Sequence, residues 1–467
     1  MNTRPFFSTV LMALAALLSA CGGDSQLAGI NGGGISNGGT SDPGVVVGPI
    51  TGFGSIFVNG IEFDLNGSTV TVDGVSSTGQ TDLRIGQIVT VKGKINQSTG
   101  MGTADSVEYG NNLKGVVSAV DTVNNTFTVI GQTVTVTGTT VFDGRTGLTD
   151  LAANDIVEVS GFVNATGKIV ATRVERQTTS GSSELKGAVS SLDTFLQTFM
   201  IGTTKVSYLG VALVTGGTLA NDACVEVKGA YSGTQLNASS IEVKSCGLSV
   251  SANDIGEIEG IITTSLTGST FTMGTLTVST ANTPQYVNGT TADLLAGKEV
   301  EVEGTFNSSN VLVARKIEIK QGTDVRMTGL VDVGSVNIAA KTFTMYGVTV
   351  STNASTQFVN KLGNSNDSYS LINLQDSNFV EVRGYENASH TAMTAVTLER
   401  RNPDSRLEIQ ATATNTAPSA TAFSLLGIPV SATSSILISK DDHVRARGTW
   451  SSATSTFSAT SVENNAF

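Results

Sequence analysis

The amino-acid sequence predicts an all-β protein, and two observations support this prediction. Charged residues make up only 14% of the chain, against roughly 25% in ordinary soluble domains. Threonine and valine, which are abundant here, favour strands, while glycine and asparagine favour tight turns. In addition, a strand motif that ends in glycine occurs six times. Each copy is followed by an apolar residue and a glutamate, and the glutamate comes 13 to 15 residues after the glycine.

These six copies divide the chain into six repeats, because a motif at a regular period marks one folding unit per copy. The glycines are Gly93, Gly161, Gly229, Gly304, Gly384 and Gly448. The glutamates are Glu108, Glu175, Glu242, Glu318, Glu399 and Glu463. Repeats 1 to 6 are predicted to span residues 48–111, 112–180, 181–250, 251–323, 324–403 and 404–467, the last being divergent.

Repeat 2 shows the expected strands most clearly. Alternating or apolar runs predict strands over residues 113–121, 126–130, 132–137, 156–160 and 169–175, with turns at Asn124-Asn125 and Gly131. A flat sheet of five short strands would leave two edges unpaired, whereas a closed barrel removes them. We therefore predict a tandem array of about six small OB-like β-barrels, arranged like beads on a string. A small β-sandwich and a β-solenoid are the alternatives.

The N-terminus predicts export and membrane attachment. Residues 1–20 have the form of a signal peptide, with Arg4 before an apolar run that is too short to span a bilayer. The sequence Leu18-Ser19-Ala20-Cys21 resembles a bacterial lipobox, which implies cleavage before Cys21 and lipidation of that residue. Residues 21–47 are rich in glycine and serine and predict a flexible, lipid-attached tether. The resemblance implies an outer-membrane lipoprotein of the bacterial cell envelope, whose membrane contact is the lipid.

Two further cysteines lie in repeat 3 on either side of a predicted turn at residues 232–235. Cys224 and Cys246 are each 11 residues from Gln235. An antiparallel hairpin centred on this turn would place them opposite each other, within reach of a disulfide. The alternative is a pair of buried thiols.

The sequence predicts no catalytic residue, metal site or cofactor. The two histidines, His390 and His443, fall in different repeats and lack neighbours at metal-ligand spacing. We expect the six repeat glutamates to close their barrels structurally, and a ligand role for calcium or a sugar is the alternative. A second acidic set in the Val-Glu-Val strands is expected to face solvent, and it comprises Glu158, Glu226, Glu301 and Glu381. The net charge of −12 argues against nucleic-acid binding.

The repeats resemble a known family. The opening Gly-Pro-Ile-Thr-Gly-Phe-Gly-Ser-Ile-Phe-Val-Asn-Gly of residues 48–60, Val-Thr-Val-Lys-Gly at 89–93 and the recurring Leu-Lys-Gly-x-Val starts look like tandem DUF5666 domains of bacterial lipoproteins. The family name denotes a domain of unknown function, so the resemblance implies exported β-modules and no catalytic residues. We expect a non-enzymatic scaffold, spacer or adhesin of the cell envelope. The alternative is a periplasmic or surface protein that binds a glycan or another small ligand.

Overall fold

The computed structural model describes residues 41–464 except 97–98, 180, 211–213, 363–367 and 404–406. The predicted signal peptide, Cys21 and most of the predicted tether lie outside the described residues. The described chain consists of 36 strands and three single-turn 3-10 helices, at Leu148–Asp150, Thr291–Asp293 and Leu371–Asn373. None of its helices is long and apolar enough to cross a membrane.

The strands of repeats 1 to 3 follow the predicted order. In repeat 1 they are β1 (Asp42–Gly52), β2 (Ile56–Val58), β3 (Ile61–Asp64), β4 (Thr69–Val72), β5 (Val75–Ser77), β6 (Ile88–Asn96) and β7 (Met101–Tyr109). In repeat 2 they are β8 (Leu113–Asp121), β9 (Thr126–Val129), β10 (Gln132–Asp143), β11 (Ile156–Val163) and β12 (Ile169–Gln177). In repeat 3 they are β13 (Ser183–Asp193), β14 (Thr198–Ile201), β15 (Thr204–Ser207), β16 (Val214–Thr215), β17 (Cys224–Tyr231) and β18 (Leu236–Lys244).

Repeats 4 to 6 contain the same series of strands. In repeat 4 they are β19 (Ile255–Ile261), β20 (Thr264–Thr267), β21 (Thr270–Met273), β22 (Leu276–Ser279), β23 (Gln285–Val287), β24 (Glu299–Phe306) and β25 (Leu312–Ile319). In repeat 5 they are β26 (Val325–Leu330), β27 (Thr342–Met345), β28 (Val348–Ser351), β29 (Gln357–Asn360), β30 (Phe379–Glu386) and β31 (Ala392–Arg400). In repeat 6 they are β32 (Leu407–Thr412), β33 (Ala422–Leu425), β34 (Ile428–Ala432), β35 (His443–Ser451) and β36 (Thr456–Asn464).

The pairing of these strands confirms the predicted OB-like barrels. In repeat 2, β8 pairs with β9, β9 with β10, β10 in parallel with β12, β12 with β11, and β11 with β8, which closes a five-stranded barrel. Repeats 1 and 3 close in the same order, and repeat 4 does so with its first strand bent into β19 and β20. In repeats 5 and 6 the first and second strands are linked by little more than isolated bridges, so these barrels are more open.

Apolar side chains fill the barrels. The phenylalanines Phe127, Phe199, Phe271 and Phe343 recur every 72 residues on the second strand, and none is more than 1% exposed. Repeats 2 and 3 share one hydrophobic cluster, as do repeats 5 and 6, whereas repeats 1 and 4 have separate clusters, the first of which also includes Val141, Ile255 and Val359 of other repeats. The recurring phenylalanine is therefore the central core residue of each of these four barrels.

The six barrels are joined in three pairs, so the expectation of beads on a string is wrong. Each pair is joined through the two first strands. Strand β1 of repeat 1 pairs in parallel with β19 of repeat 4, β8 pairs with β13, and β26 pairs with β32. In repeats 1 to 3 the second strand pairs only with the C-terminal half of the first strand, which leaves backbone groups at an open edge. The partner barrel covers that edge, as unpaired edges require.

The first strand also corrects the predicted boundary between tether and barrel. Residues 42–47 were assigned to the tether, but they form the start of β1, and Val45 and Val46 are buried. The run Val45-Val46-Val47 supplies a continuous apolar stretch that the preceding glycine-rich segment lacks. These valines pair with both β6 and β19, so repeat 1 begins at Asp42.

Candidate functional site

The repeat glycine lies within a strand and does not end it. The last two strands of each repeat are the fourth and fifth strands of its barrel. In every repeat the fourth strand continues two or three residues beyond the glycine, and its register with the fifth strand shifts by one residue at the glycine. A Cβ added at any of the six glycines would lie 1.9–2.3 Å from a backbone carbonyl oxygen of the fifth strand. Glycine is therefore required sterically at this β-bulge.

The residue opposite each glycine is alanine in all six repeats, a regularity that the sequence prediction missed. The pairs are Gly93–Ala104, Gly161–Ala171, Gly229–Ala238, Gly304–Ala314, Gly384–Ala395 and Gly448–Ala459. The alanine precedes the repeat glutamate by four residues in every copy. The variable spacing from glycine to glutamate therefore arises entirely in the hairpin between the two strands.

The six repeat glutamates lie on the outer face of the fifth strand. Four of them form ion pairs with a basic side chain, at 2.8 Å for Glu175–Arg173 and Glu242–Lys244, 3.6 Å for Glu399–Arg401 and 2.7 Å for Glu463–Arg447. Glu108 is exposed, and Glu318 lines a cleft described below. The role of these glutamates in closing the barrels stays a prediction.

Three glutamates of the Val-Glu-Val strands are buried and the fourth, Glu158, is half-buried, so the expectation that they face solvent is wrong. They do point out of their own barrels, directly across from the repeat glutamates, but basic side chains of the same repeats pair with them there, among them Lys228 with Glu226, Lys320 with Glu301 and Arg383 with Glu381. The side chains of Glu226, Glu301 and Glu381 are only 4–7% exposed. Glu158 accepts a 3.0 Å hydrogen bond from the hydroxyl of Tyr109 in repeat 1. Of the four, Glu158 therefore takes part directly in a contact between barrels.

Buried carboxylates of this kind depend on nearby cations. Burial alone would raise the pKa of Glu381, but the guanidinium groups of Arg383, Arg326 and Arg401 lower it to about 2. Arg326 also contacts Glu408 across the joint between repeats 5 and 6, at 3.3 Å from Nη1 to Oε1. This charge network links the two barrels in addition to their backbone pairing.

Cys224 and Cys246 form a disulfide in the structure, with 5.2 Å between their Cα atoms. The turn between β17 and β18 lies at residues 232–235, where the sequence placed it. The hairpin is centred between residues 233 and 234 and not on Gln235, however, so Cys224 pairs with Lys244. Cys246 lies two residues beyond the end of β18, so the bridge runs diagonally and not between directly opposed residues.

Within the described residues, three carboxylates lie close enough together to hold a metal ion. One oxygen each of Glu257, Glu301 and Glu303 lies within 4.8 Å of the others. Two lysines already supply positive charge to this cluster, with Lys316 Nζ 2.5 Å from Glu303 and Lys320 Nζ 2.6 Å from Glu301. The arrangement is that of a buried ion-pair network, in which the lysines take the place that a cation would occupy.

A cleft opens where repeats 1, 2, 4 and 5 meet. Its empty space, including the open mouth, is about 800 Å³. Most of its lining side chains are polar, and Tyr385 adds an aromatic side chain. This cleft is the candidate binding site of the protein, and none of its residues was predicted from the sequence to form a site with the others.

Three side-chain oxygens in the cleft lining are buried without a hydrogen-bond partner. They are Asn59 Oδ1, Gln357 Oε1 and Thr397 Oγ1, on residues that are 6–7% exposed. The orientation of the Asn59 amide is fixed, because its Nδ2 donates to the carbonyls of Val47 and Glu257 at 3.0 and 3.2 Å. Buried polar atoms are nearly always paired, so three unpaired ones in one cleft distinguish this site.

The charged groups of the cleft come from repeat 4. Lys320 Nζ lies 3.2 Å from a carboxylate oxygen of Glu259, so these charges offset each other. Burial, together with the charge of Glu259, raises the pKa of Glu299 to about 8. Glu299 is therefore mostly protonated at neutral pH and can donate a hydrogen bond. The cleft thus offers neutral and paired polar groups and no excess of positive charge.

The fold and this repeat motif define a class of protein, a tandem array of five-stranded OB-like barrels. The family model described as "Domain of unknown function (DUF5666)" matches residues 44–108, 114–175, 259–318 and 328–399. These segments cover more than half of the chain, and the protein belongs to the DUF5666 family. Repeats 3 and 6 lie outside the matched segments but have the same strand order and the same Gly–Ala–Glu motif. No curated protein matches the sequence.

Proposed function

We propose that this protein is a non-enzymatic, lipid-anchored scaffold or spacer of the bacterial cell envelope. The observation that carries the proposal is the joining of six barrels into three pairs by their first strands. Pairs joined by backbone hydrogen bonds and buried ion pairs resist bending more than barrels on flexible linkers would. Such a body suits a protein that holds a fixed distance from a membrane.

Membrane attachment is supported by the sequence Leu18-Ser19-Ala20-Cys21, which has the form of a lipobox. The disulfide of repeat 3 fits the same location, because disulfides persist in exported proteins and are rare in the bacterial cytosol. A lipid chain at Cys21 would be the membrane contact, and the outer membrane is the expected site, facing either the periplasm or the cell surface.

The anchoring part of the proposal is tested by fractionation of cells that produce Cys21→Ala. The variant should move from the membrane to the soluble fraction and lose incorporation of labelled fatty acid. The matched control is Cys224→Ser, which also removes a cysteine but should stay with the membrane. Retention of the Cys21→Ala protein in the membrane fraction would contradict lipid anchoring.

The scaffold part is tested by loosening one joint between barrels. Arg326→Glu would place a third carboxylate beside Glu381 and Glu408 and should separate repeats 5 and 6. Small-angle scattering should show a larger radius of gyration, whereas the exposed control Lys168→Glu should leave it unchanged. In a deletion strain with an envelope defect, the wild-type chain should restore the envelope and Arg326→Glu should restore it poorly. Full rescue by Arg326→Glu, with the joint shown to be open, would contradict a scaffold role.

A further inference from the structure

An exposed apolar tip distinguishes repeat 3 from the other repeats. It consists of Phe195 and Leu196, in the turn between β13 and β14, and of Leu209, which follows β15. The amide of Tyr208 donates a hydrogen bond to the carbonyl of Gln197, so Leu196 and Leu209 are neighbours at the end of this ladder. Phe195, Leu196 and Leu209 are 92%, 59% and 74% exposed. Exposed apolar side chains that adjoin one another mark an interaction surface.

The fold does not require apolar residues in the tip. The turn is held by Asp193, whose Oδ1 accepts hydrogen bonds from the amides of Phe195 and Leu196 at 2.9 and 2.8 Å. Asp121 holds the corresponding turn of repeat 2 in the same way. The strand pairing places these residues at the three equivalent positions: Val123, Asn124 and Thr137 in repeat 2; Thr267, Gly268 and Ala281 in repeat 4; Ala339, Ala340 and Asn353 in repeat 5; and Ser419, Ala420 and Thr433 in repeat 6. Of these five repeats, only repeat 3 has three large apolar residues there.

The size and shape of the tip favour a lipid bilayer over a protein or a small molecule as its partner. Three large side chains bury roughly 500 Å² at most, whereas a stable protein–protein interface buries about 800 Å² on each partner. The tip is convex, because it is the end of a strand ladder, and small-molecule sites are concave. A bilayer needs neither a pocket nor a large flat contact, since side chains that enter it are surrounded by lipid.

The charge around the tip fits the same partner. The sequence has no charged residue between Asp193 and Lys205, and none between Lys205 and Asp222. Entry of the tip into a membrane therefore does not desolvate an ionised side chain of the turn, which would be costly. Tyr208 is half-buried beside Leu209, and tyrosine is enriched where an apolar environment meets water.

We propose that the apolar tip of repeat 3 inserts into the bilayer that holds the lipid of Cys21. The inference rests on the lipid anchor of the proposed function. Cys21 precedes the first described residue, 41, by 20 positions, which allows a separation of roughly 70 Å at most. The anchor therefore keeps the barrels near the bilayer but does not fix which face meets it. The tip supplies a second membrane contact and sets the orientation of the scaffold.

The test is quenching of tryptophan fluorescence by brominated lipid. The mature lipoprotein is purified with its lipid and reconstituted into vesicles of brominated or ordinary phosphatidylcholine. The added emission of Phe195→Trp should shift to shorter wavelength in ordinary vesicles and be lost in brominated ones. The wild-type chain, whose single tryptophan is Trp450, gives the background.

Val123→Trp is the matched control, because Val123 lies in the equivalent turn of repeat 2 and is 88% exposed. Strands β8 and β13 pair antiparallel, so the two turns project from opposite ends of the joined barrels. The emission of Val123→Trp should be the same in both kinds of vesicle. Equal quenching of the two variants, or no quenching of Phe195→Trp in protein that floats with the vesicles, would overturn insertion and leave the lipid anchor standing. Purified protein without fatty acid would overturn both.

A further pair of substitutions tests whether the apolar patch drives the contact. Leu196→Ser together with Leu209→Ser, added to Phe195→Trp, should reduce the quenching. The midpoint of thermal unfolding should not change, because neither leucine is buried. Unchanged quenching in this variant would overturn the proposal. Absence of quenching in Phe195→Trp, combined with self-association that the two serines abolish, would overturn it in favour of contact with a second copy of the chain.

Discussion

The β-bulge glycine gives the sharpest prediction about stability, and Gly161 in repeat 2 is the best position to test it. A Cβ at Gly161 would lie 2.3 Å from the carbonyl oxygen of Val170 on the adjacent strand. Real Cβ atoms essentially never come closer than 3.0 Å to such an atom, so the strands must separate by at least 0.7 Å. The obstacle is main chain, and no side-chain rotation can relieve it.

The expected cost follows from this displacement. Overpacking of a rigid site costs about 1–3 kcal/mol, and each ladder hydrogen bond that lengthens beyond its normal range costs about 1 kcal/mol more. Gly161→Ala should therefore lower the free energy of unfolding by about 2–4 kcal/mol. For the joined repeats 2 and 3 this corresponds to a decrease in Tm of roughly 10 °C.

The assay is thermal unfolding of the full chain, with hydrogen exchange to locate the loss of protection in repeats 2 and 3. Gly181→Ala is the control, since its added Cβ would meet no atom within 4 Å, and its effect should stay within about 0.5 kcal/mol. A second substitution, Ala171→Gly, should not rescue Gly161→Ala, because the clash is with the Val170 carbonyl. Equal stabilities of the two alanine variants, or rescue by Ala171→Gly, would refute the steric account of the repeat glycine.

Three further predictions concern charge and cross-linking. The pKa of Glu381 is lowered to about 2 by Arg383, Arg326 and Arg401. Its contribution to the free energy of unfolding, roughly 3 kcal/mol, is therefore present above pH 4.5 and is lost towards pH 2. Acid unfolding of repeats 5 and 6 should begin in that range, and it should depend less steeply on pH in Glu381→Gln. The pKa of Glu299 is raised to about 8, so the free energy of unfolding falls by about 1.4 kcal/mol per pH unit between pH 4.5 and 8. In urea unfolding, Glu299→Gln should be more stable than wild type at pH 8 but not at pH 4. Reduction of the disulfide in repeat 3 should lower its stability by about 2–4 kcal/mol, measured by hydrogen exchange with and without reductant, and unchanged protection would contradict a stabilising bridge.

The interior of each barrel could be predicted from the sequence, because local patterns determine it. The strands of repeat 2 follow the alternation of apolar and polar residues, and β8 has the predicted bounds. Phe127 and its counterparts at 72-residue intervals are buried as their position on a strand implies. The glycine was recognised as a repeat marker but was placed at a strand end. Its true role depends on the approach of the neighbouring strand, which the spacing to Ala171 would have indicated.

The contacts between barrels could not be predicted in the same way. A first strand with one open edge can pair with any other first strand, and nothing local directs repeat 1 to repeat 4 and not to repeat 2. The exposure of Glu226 and Glu301 was also predicted wrongly. Alternation shows that a side chain points out of its own barrel, but it does not show whether water or the basic side chains of an ion-pair network surround it there. The cleft forms only at a junction of four repeats, so neither the alternation along a strand nor the repeat motif could predict it.

This division between barrel and junction also explains why one repeated residue can have two roles. Glu175, Glu242 and Glu399 occupy equivalent positions and pair with basic side chains of their own repeats. Glu318 has the same place in repeat 4, yet it lines the cleft because three other repeats meet there. The shared motif determines the barrel. The packing of the barrels then determines whether a given copy of the glutamate faces a basic side chain, solvent or the cleft. Function in this chain should therefore be sought in residues that differ between repeats, such as Asn59, since they alone distinguish one junction from another.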